Sequence, residues 1–144
     1  MSHKTLAPGV GVCGQVSPQG VAEAKAAGFR AIINNRPDGE EPGQPTSAEL
    51  EAQARAAGMD YHYIPVTPGR YTDADVAKFC AAMDDCNGTA LAFCKSGMRA
   101  TSLWALAQAG KLSTQEILSQ AAECGYDLSP LVPQIEARAA KVQG

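Results

Sequence analysis

The stretch "LAFCKSGMRATSLWALAQAG", residues 91–110, passes from an apolar run through a cysteine and a glycine to an arginine, and then into helical residues. Read as strand, tight turn and helix, it sets Cys94 at the carboxyl end of a buried strand and Arg99 at the opening of a helix. Backbone N–H groups and the helix dipole favour negative charge at such a junction. A thiolate is favoured there, and the thiolate is the nucleophilic form of cysteine. Ser96 and Gly97 allow close backbone approach, so successive N–H groups of Lys95, Ser96, Gly97, Met98 and Arg99 can converge on one oxyanion. The Arg99 guanidinium adds a bidentate fork suited to a tetrahedral group. The expectation is an anion-binding loop with Cys94 and Arg99 as its catalytic pair. Phosphate, sulfate, thiosulfate or a persulfide would suit it. A plain structural role for Cys94, as a small buried hydrophobe, would leave the arginine and the helix start without a purpose.

Working outward, "TALAF" at 89–93 is the continuously apolar strand expected in the middle of a sheet. Before it, "YTDADVAKFCAAMDDCNG" carries a capping box, Thr72 with Asp75, that starts a helix. Further upstream, Ser17 caps a helix over about 18–27 that stops at Gly28, and "RAIINN" is a β-branched strand. The segment "RPDGEEPGQP" is a turn-rich loop. Thr46 or Ser47 caps a second helix ending at Gly58, and "MDYHYIPV" alternates as a strand. After the quoted stretch, Gly110 and the segment 125–133 divide the remainder into three helices. Alternating helices and strands predict an α/β domain in two or three layers, with a central, mostly parallel sheet flanked by helices. Its site would lie at the carboxyl ends of the strands.

At 144 residues with 45% hydrophobic and 19% charged residues, the chain is sized for one domain spanning 1–144. Its net charge of -3, with twelve scattered Lys and Arg, gives no basic patch for nucleic acid. The five cysteines (Cys13, Cys80, Cys86, Cys94, Cys124) have no repeated spacing, which argues against a disulfide framework or a zinc site and for a reducing compartment. The start "MSHKTLAPGVGV" lacks an apolar signal core, and no run is long enough to span a bilayer. The expectation is a cytoplasmic protein without membrane or nucleic-acid partners, metal or cofactor. His3 and His62 are too separated for a metal site, and His62 should face solvent from its strand. Cys13, in the "VCGQ" turn, would act as a resolving thiol only if it lay beside Cys94, and a buried, incidental role is the expected one. Cys80 and Cys86 belong to helix packing, and Leu103, Trp104 and Leu106 to the core.

The segments "GVCGQVSPQGVAEAKAAGFRAIINNRPDGEEPGQP", "YHYIPVTPG" and "AFCKSGMRA" resemble the beta-lactamase-hydrolase-like protein, phosphatase-like domain family, over nearly the whole chain. "GKLSTQEILSQAAECGYDLSPLVPQIEA" is similar to the helical end of dual-specificity protein phosphatases. The resemblance implies a dual-specificity protein tyrosine phosphatase-like fold. A rhodanese can share the C-x-x-x-x-R loop, but the segments that precede a rhodanese cysteine are missing. Two departures bear on activity. Protein phosphatases carry a His before the cysteine and five residues before the arginine, whereas Phe93 precedes Cys94 and four residues separate it from Arg99. Thr101 falls where the phosphatase hydroxyl would stand. The general acid of phosphatases is an Asp in the loop after the preceding strand, and here that loop, "TPGRY", holds no carboxylate. Asp73 and Asp75 follow it and are candidates for the acid or a supporting role, although a helix's first turn ordinarily attracts acidic residues. Asp38, Glu40 and Glu41 are further candidates, in a charge run that would usually be solvated.

A thiolate that attacks a sulfane sulfur expels a group needing no proton, so sulfur transfer through a Cys94 persulfide accommodates the missing acid. Relatives of this domain are fused to a metallo-hydrolase-like domain associated with persulfide oxidation, which the resemblance adds to that reading. Sulfur transfer from a small anionic donor, thiosulfate or a persulfide, is therefore the first expectation. Hydrolysis of a phosphoester through a cysteinyl-phosphate is the alternative, and non-catalytic anion or thiol sensing is third.

Overall fold

The computed structural model describes residues 2–87 and 89–143. Its centre is a five-stranded sheet in the order β1-β2-β5-β3-β4, with β1 (Lys4–Ala7), β2 (Val10–Cys13), β3 (Ala31–Asn34), β4 (Asp60–Tyr63) and β5 (Ala90–Phe93). Only β1 runs antiparallel, paired to β2 across a hairpin, and the remaining pairs are parallel. β5, the strand that delivers the cysteine, sits between β2 and β3 at the middle of the sheet.

Side chains alternate across each strand, and the alternation builds two separate cores. Leu91 and Phe93 of β5 and Ile32 of β3 point to one face with Val21, Ala24, Leu50 and Ala54. The last four belong to α1 (Pro18–Ala26) and α2 (Ser47–Ala56). Ala90 and Ala92 point to the other face with Ile33, Val12, Phe79, Leu103, Trp104, Ile117 and Ile135. That layer is built from α3 (Asp73–Asp85), α4 (Met98–Gln108), α5 (Thr114–Glu123) and α6 (Val132–Gln143). The result is a three-layer α/β arrangement, which decides between the two- and three-layer expectations. Among the described residues, no helix is long and apolar enough to cross a membrane.

Local chemistry accounts for the helix starts. Ser17 accepts from the Gly20 N–H at 3.0 Å, Thr46 from the Glu49 N–H at 3.1 Å, and Thr72 and Asp75 form the reciprocal box. The β1–β2 hairpin has no clear signal in the sequence, and Cys13, expected in a turn, instead ends its second strand. Pro8-Gly9 supplies the turn, with Gly9 at φ 80. Gly11 interrupts the β-forming pattern because Phe29 packs over it: a Cβ there would come within 2.7 Å of the Phe29 ring. His62 also departs from expectation. It alternates with the buried Tyr61, which turns it toward the α3–α6 face, where it is half-buried with Nε2 enclosed.

Candidate active site

Cys94 follows β5 directly and is buried, on the face carrying α3–α6. Gly97 makes the turn possible: its φ of 95 lies in the left-handed region, and a Cβ there would overlap the Tyr126 hydroxyl. This conformation aims the Gly97 N–H at Cys94 Sγ, 3.1 Å away. Two of the loop carbonyls are engaged elsewhere. Ser96 C=O accepts from the Tyr126 hydroxyl at 2.9 Å, and Gly97 C=O accepts from both the N–H and the hydroxyl of Thr101, at 2.9 and 2.7 Å. Lys95 C=O lies over Gly14, where a Cβ would approach within 2.9 Å of it. Gly97 caps α4 without a side chain of its own, and the first helical N–H, that of Met98, meets only Ser96 Oγ at a long 3.4 Å. The Cys94–Arg99 segment therefore turns the Gly97 N–H toward the sulfur, the polarity that an anion requires.

Each loop residue has a distinct setting. Lys95 is exposed, 3.9 Å from the Glu41 carboxylate. Ser96 Oγ faces the Met98 N–H at a long 3.4 Å. Met98 is exposed and borders a cleft of about 240 Å³ together with Gly69, Tyr71, Leu128 and Pro130. Arg99 is 6% exposed and turned inward. Its guanidinium meets the Glu40 carboxylate in a two-point contact, Nη1 to Oε2 at 2.9 Å and Nη2 to Oε1 at 2.8 Å, and Nη1 also donates to Val66 C=O at 3.0 Å.

Glu40 reaches that position through the loop after β3. Asn34 Oδ1 accepts from the Arg36 N–H at 2.8 Å, which bends the chain as the strand ends. Arg36 is almost fully buried there; its Nε donates to Glu40 Oε1 at 2.8 Å, its Nη1 to Gln15 Oε1 at 2.9 Å, and its Nη2 lies 2.9 Å from Glu41. Gln44 ties the loop to itself by donating to Pro37 C=O and accepting from the Glu40 N–H. The charge run is thus an ordered ion-pair network that stays solvent-exposed, so the expected hydration of Glu40 holds while its pairing to two buried arginines is what the sequence did not predict. Hydrogen bonds from Arg99, ahead of those from Arg36, hold the Glu40 carboxyl down at about 2, so it is ionised and is not a proton donor at neutral pH.

Of the other candidate acids, Glu41 faces Lys95 and Arg36, Asp38 accepts from the Ser47 N–H at 2.8 Å, and Asp73 and Asp75 are engaged outside the loop. Asp75 is spent in the capping box with Thr72, and Asp73 pairs with Arg138 at 2.7 Å and with Lys141 at 3.6 Å. Thr101 is fully buried and braces the turn through Gly97. Cys13 stands at the end of β2 in register with Phe93, on the α1–α2 face of the sheet, while Cys94 belongs to the opposite core. Burial first, then proximity to Cys94, pushes the Cys13 thiol up to about 12, which keeps it protonated. Sequence reasoning missed Arg36, Gln15 and Tyr126. Arg36 alone carried a signal, since it ends a strand whose carboxyl end borders the cysteine loop.

Comparison with known proteins places this geometry in a family. The chain belongs to the beta-lactamase hydrolase-like protein, phosphatase-like domain family, whose model matches residues 2–111. A beta-lactamase hydrolase-like protein of Agrobacterium fabrum is 38% identical over 133 residues, covering 91% of this chain and 31% of that protein. One from Xylella fastidiosa is 40% identical over 114 residues, covering 78% of this chain and 26% of that protein. The chain thus spans about a third or less of the length of these curated relatives. Among solved structures, a Neisseria meningitidis protein described as a candidate phosphatase superposes with a TM-score of 0.82 at 26% identity, covering 93% of this chain and 96% of its own. A kinase associated phosphatase, with its catalytic site cysteine replaced by serine, matches at a TM-score of 0.75 and 15% identity, covering 96% and 94%, and shares the fold. The dual-specificity phosphatase-like fold expected from the sequence is the one observed.

Proposed function

We propose that the chain is a cysteine-nucleophile phosphoester hydrolase, acting through Cys94 on a small anionic substrate, with residues 1–144 forming one phosphatase-like domain. The observation that carries this reading is the Gly97 N–H held 3.1 Å from Cys94 Sγ, in a loop whose Ser96 and Gly97 carbonyls are engaged elsewhere, with a buried arginine at its end. Lys95, Ser96, Gly97 and Met98 cradle the equatorial oxygens, and Arg99 supplies charge-assisted bonds to them. The Cys94 thiolate attacks phosphorus, the bond to the ester oxygen breaks, and its electron pair leaves with that oxygen. Water then attacks the cysteinyl-phosphate, releasing phosphate and restoring the thiolate. Family membership and a 26% identical solved neighbour described as a candidate phosphatase favour this chemistry over sulfur transfer. That reverses the order suggested by the sequence.

Asp73 and Asp75 are held elsewhere, and Glu40 is held ionised, so none of these carboxyls is placed to protonate a leaving alkoxide. Substrates whose leaving oxygen is stable as an anion, aryl phosphates among them, fit this site. The same observation supports sulfur transfer as a second reading. With thiosulfate, Cys94 would attack the outer sulfur, the sulfur–sulfur bond would break, and sulfite would leave with the electron pair, giving a Cys94 persulfide. Parallel assays separate the two: aryl phosphate hydrolysis lost in Cys94→Ser supports the hydrolase. A gain of one sulfur on Cys94 from thiosulfate, without phosphate ester turnover, supports the transferase.

A further inference from the structure

We propose, resting on the hydrolase reading above, that Glu40 is the positioning residue of this site: it locks the Arg99 guanidinium so that one edge of its donors is kept for the bound oxyanion. A guanidinium has five N–H donors in a rigid plane. Glu40 takes one from each terminal nitrogen, and Val66 C=O takes the second of Nη1. Among the described residues no protein group takes the remaining two, on Nε and Nη2. Those two lie side by side on one edge, a second fork of the geometry that binds a tetrahedral oxyanion at two points.

The arrangement that holds Glu40 is built for orientation. Oε1 accepts from Arg36 Nε at 2.8 Å as well as from Arg99, and Arg36 is fixed in turn by Gln15. The carboxylate is pinned by two buried arginines from different elements, one after β3 and one in α4, so it relays the position of the carboxyl end of β3 to the guanidinium. Charge alone would argue against a carboxylate here. A negative charge 2.8 Å from Arg99 opposes the entry of an anion, so its gain must come from geometry: the guanidinium is held in one plane before substrate arrives.

Two substitutions separate geometry from charge. Glu40→Gln keeps the length, removes the charge and offers Arg99 one acceptor in place of two. Glu40→Asp keeps the charge and withdraws the oxygens by one methylene, out of reach of both arginines at once. The binding of inorganic phosphate by the full chain is measured by titration calorimetry, alongside kcat and KM for an aryl phosphate and the melting temperature. Both variants are expected to bind phosphate about tenfold or more weakly and to lose kcat, in excess of any effect that a lowered melting temperature explains. Tighter phosphate binding by Glu40→Gln would make Glu40 a competing plug and overturn the proposal. Wild-type affinity and kcat in Glu40→Asp would overturn it equally, and that measurement stands even should Glu40→Gln not fold. If the wild-type chain neither binds phosphate nor hydrolyses the ester, the hydrolase reading itself fails and this proposal falls with it. Intact wild-type function with unaffected variants removes only the role of Glu40.

Discussion

Glu40 and Arg99, 59 residues apart in the chain, meet carboxylate to guanidinium through two hydrogen bonds of 2.8 and 2.9 Å beside the cysteine loop. The contact exists because β3 and β5 are neighbours in the sheet, so the loop after one is delivered to the helix after the other. It makes the arginine of the proposed anion loop a group already oriented by protein, with part of its donor set in reserve.

Arg99→Lys should lower kcat/KM for an aryl phosphate by about a hundredfold or more. Lysine keeps the charge but lacks the planar fork, and hydrogen bonds to charged groups contribute about 1.5–3 kcal/mol each. Steady-state kinetics check this, and a change of less than about threefold would show that Arg99 is merely a counter-ion.

The Glu40 ion pairs should fail in acid. The carboxyl lies at about 2 in the folded chain against an ordinary 4.5, chiefly through Arg99, so its stabilisation is present above 4.5 and is lost as pH falls toward 2. Melting temperatures of wild type and Glu40→Gln should therefore differ most near neutrality and converge as pH drops through that window.

Gly97→Ala should damage the loop more than any conservative change within it. The left-handed conformation costs a side chain about 1–2 kcal/mol, and the new methyl group would overlap the Tyr126 hydroxyl. Reduced melting temperature together with lost turnover is expected. Tyr126→Phe, which only releases Ser96 C=O from a hydrogen bond, should cost about 0.5–1.5 kcal/mol.

Leaving-group dependence should be steep. With no positioned acid, rates should fall as the pKa of the leaving phenol rises, and phosphoserine should be a poor substrate. A flat dependence would reveal a proton donor and would restore Asp73 and Asp75 as candidates for it.

The parts legible in the sequence are those whose causes are local. Ser17, Thr46 and Thr72 are caps whose acceptor and donor sit three residues apart, and Cys94 to Arg99 is a contiguous loop. The β1–β2 hairpin is not legible, because Gly11 breaks the apolar pattern of its second strand and is explained only by Phe29, brought across by the fold. Glu40 is hidden for a similar reason. An acidic pair in a turn-rich loop gives no local hint of a partner, and only the adjacency of β3 and β5, with Arg36 buried beside it, pairs this exposed one with arginines. His62 reads as exposed because nothing in the local sequence of β4 tells that the α3–α6 layer extends over this edge strand.

Whether Cys94 is the nucleophile of phosphoryl transfer is decided by the intact mass of the protein quenched during aryl phosphate turnover. A phosphoryl adduct that maps to Cys94 is predicted in the wild-type chain, absent along with turnover in Cys94→Ser. Turnover that persists in Cys94→Ser, or a wild-type chain that accumulates only a sulfur adduct from thiosulfate and never turns over the ester, would contradict that assignment.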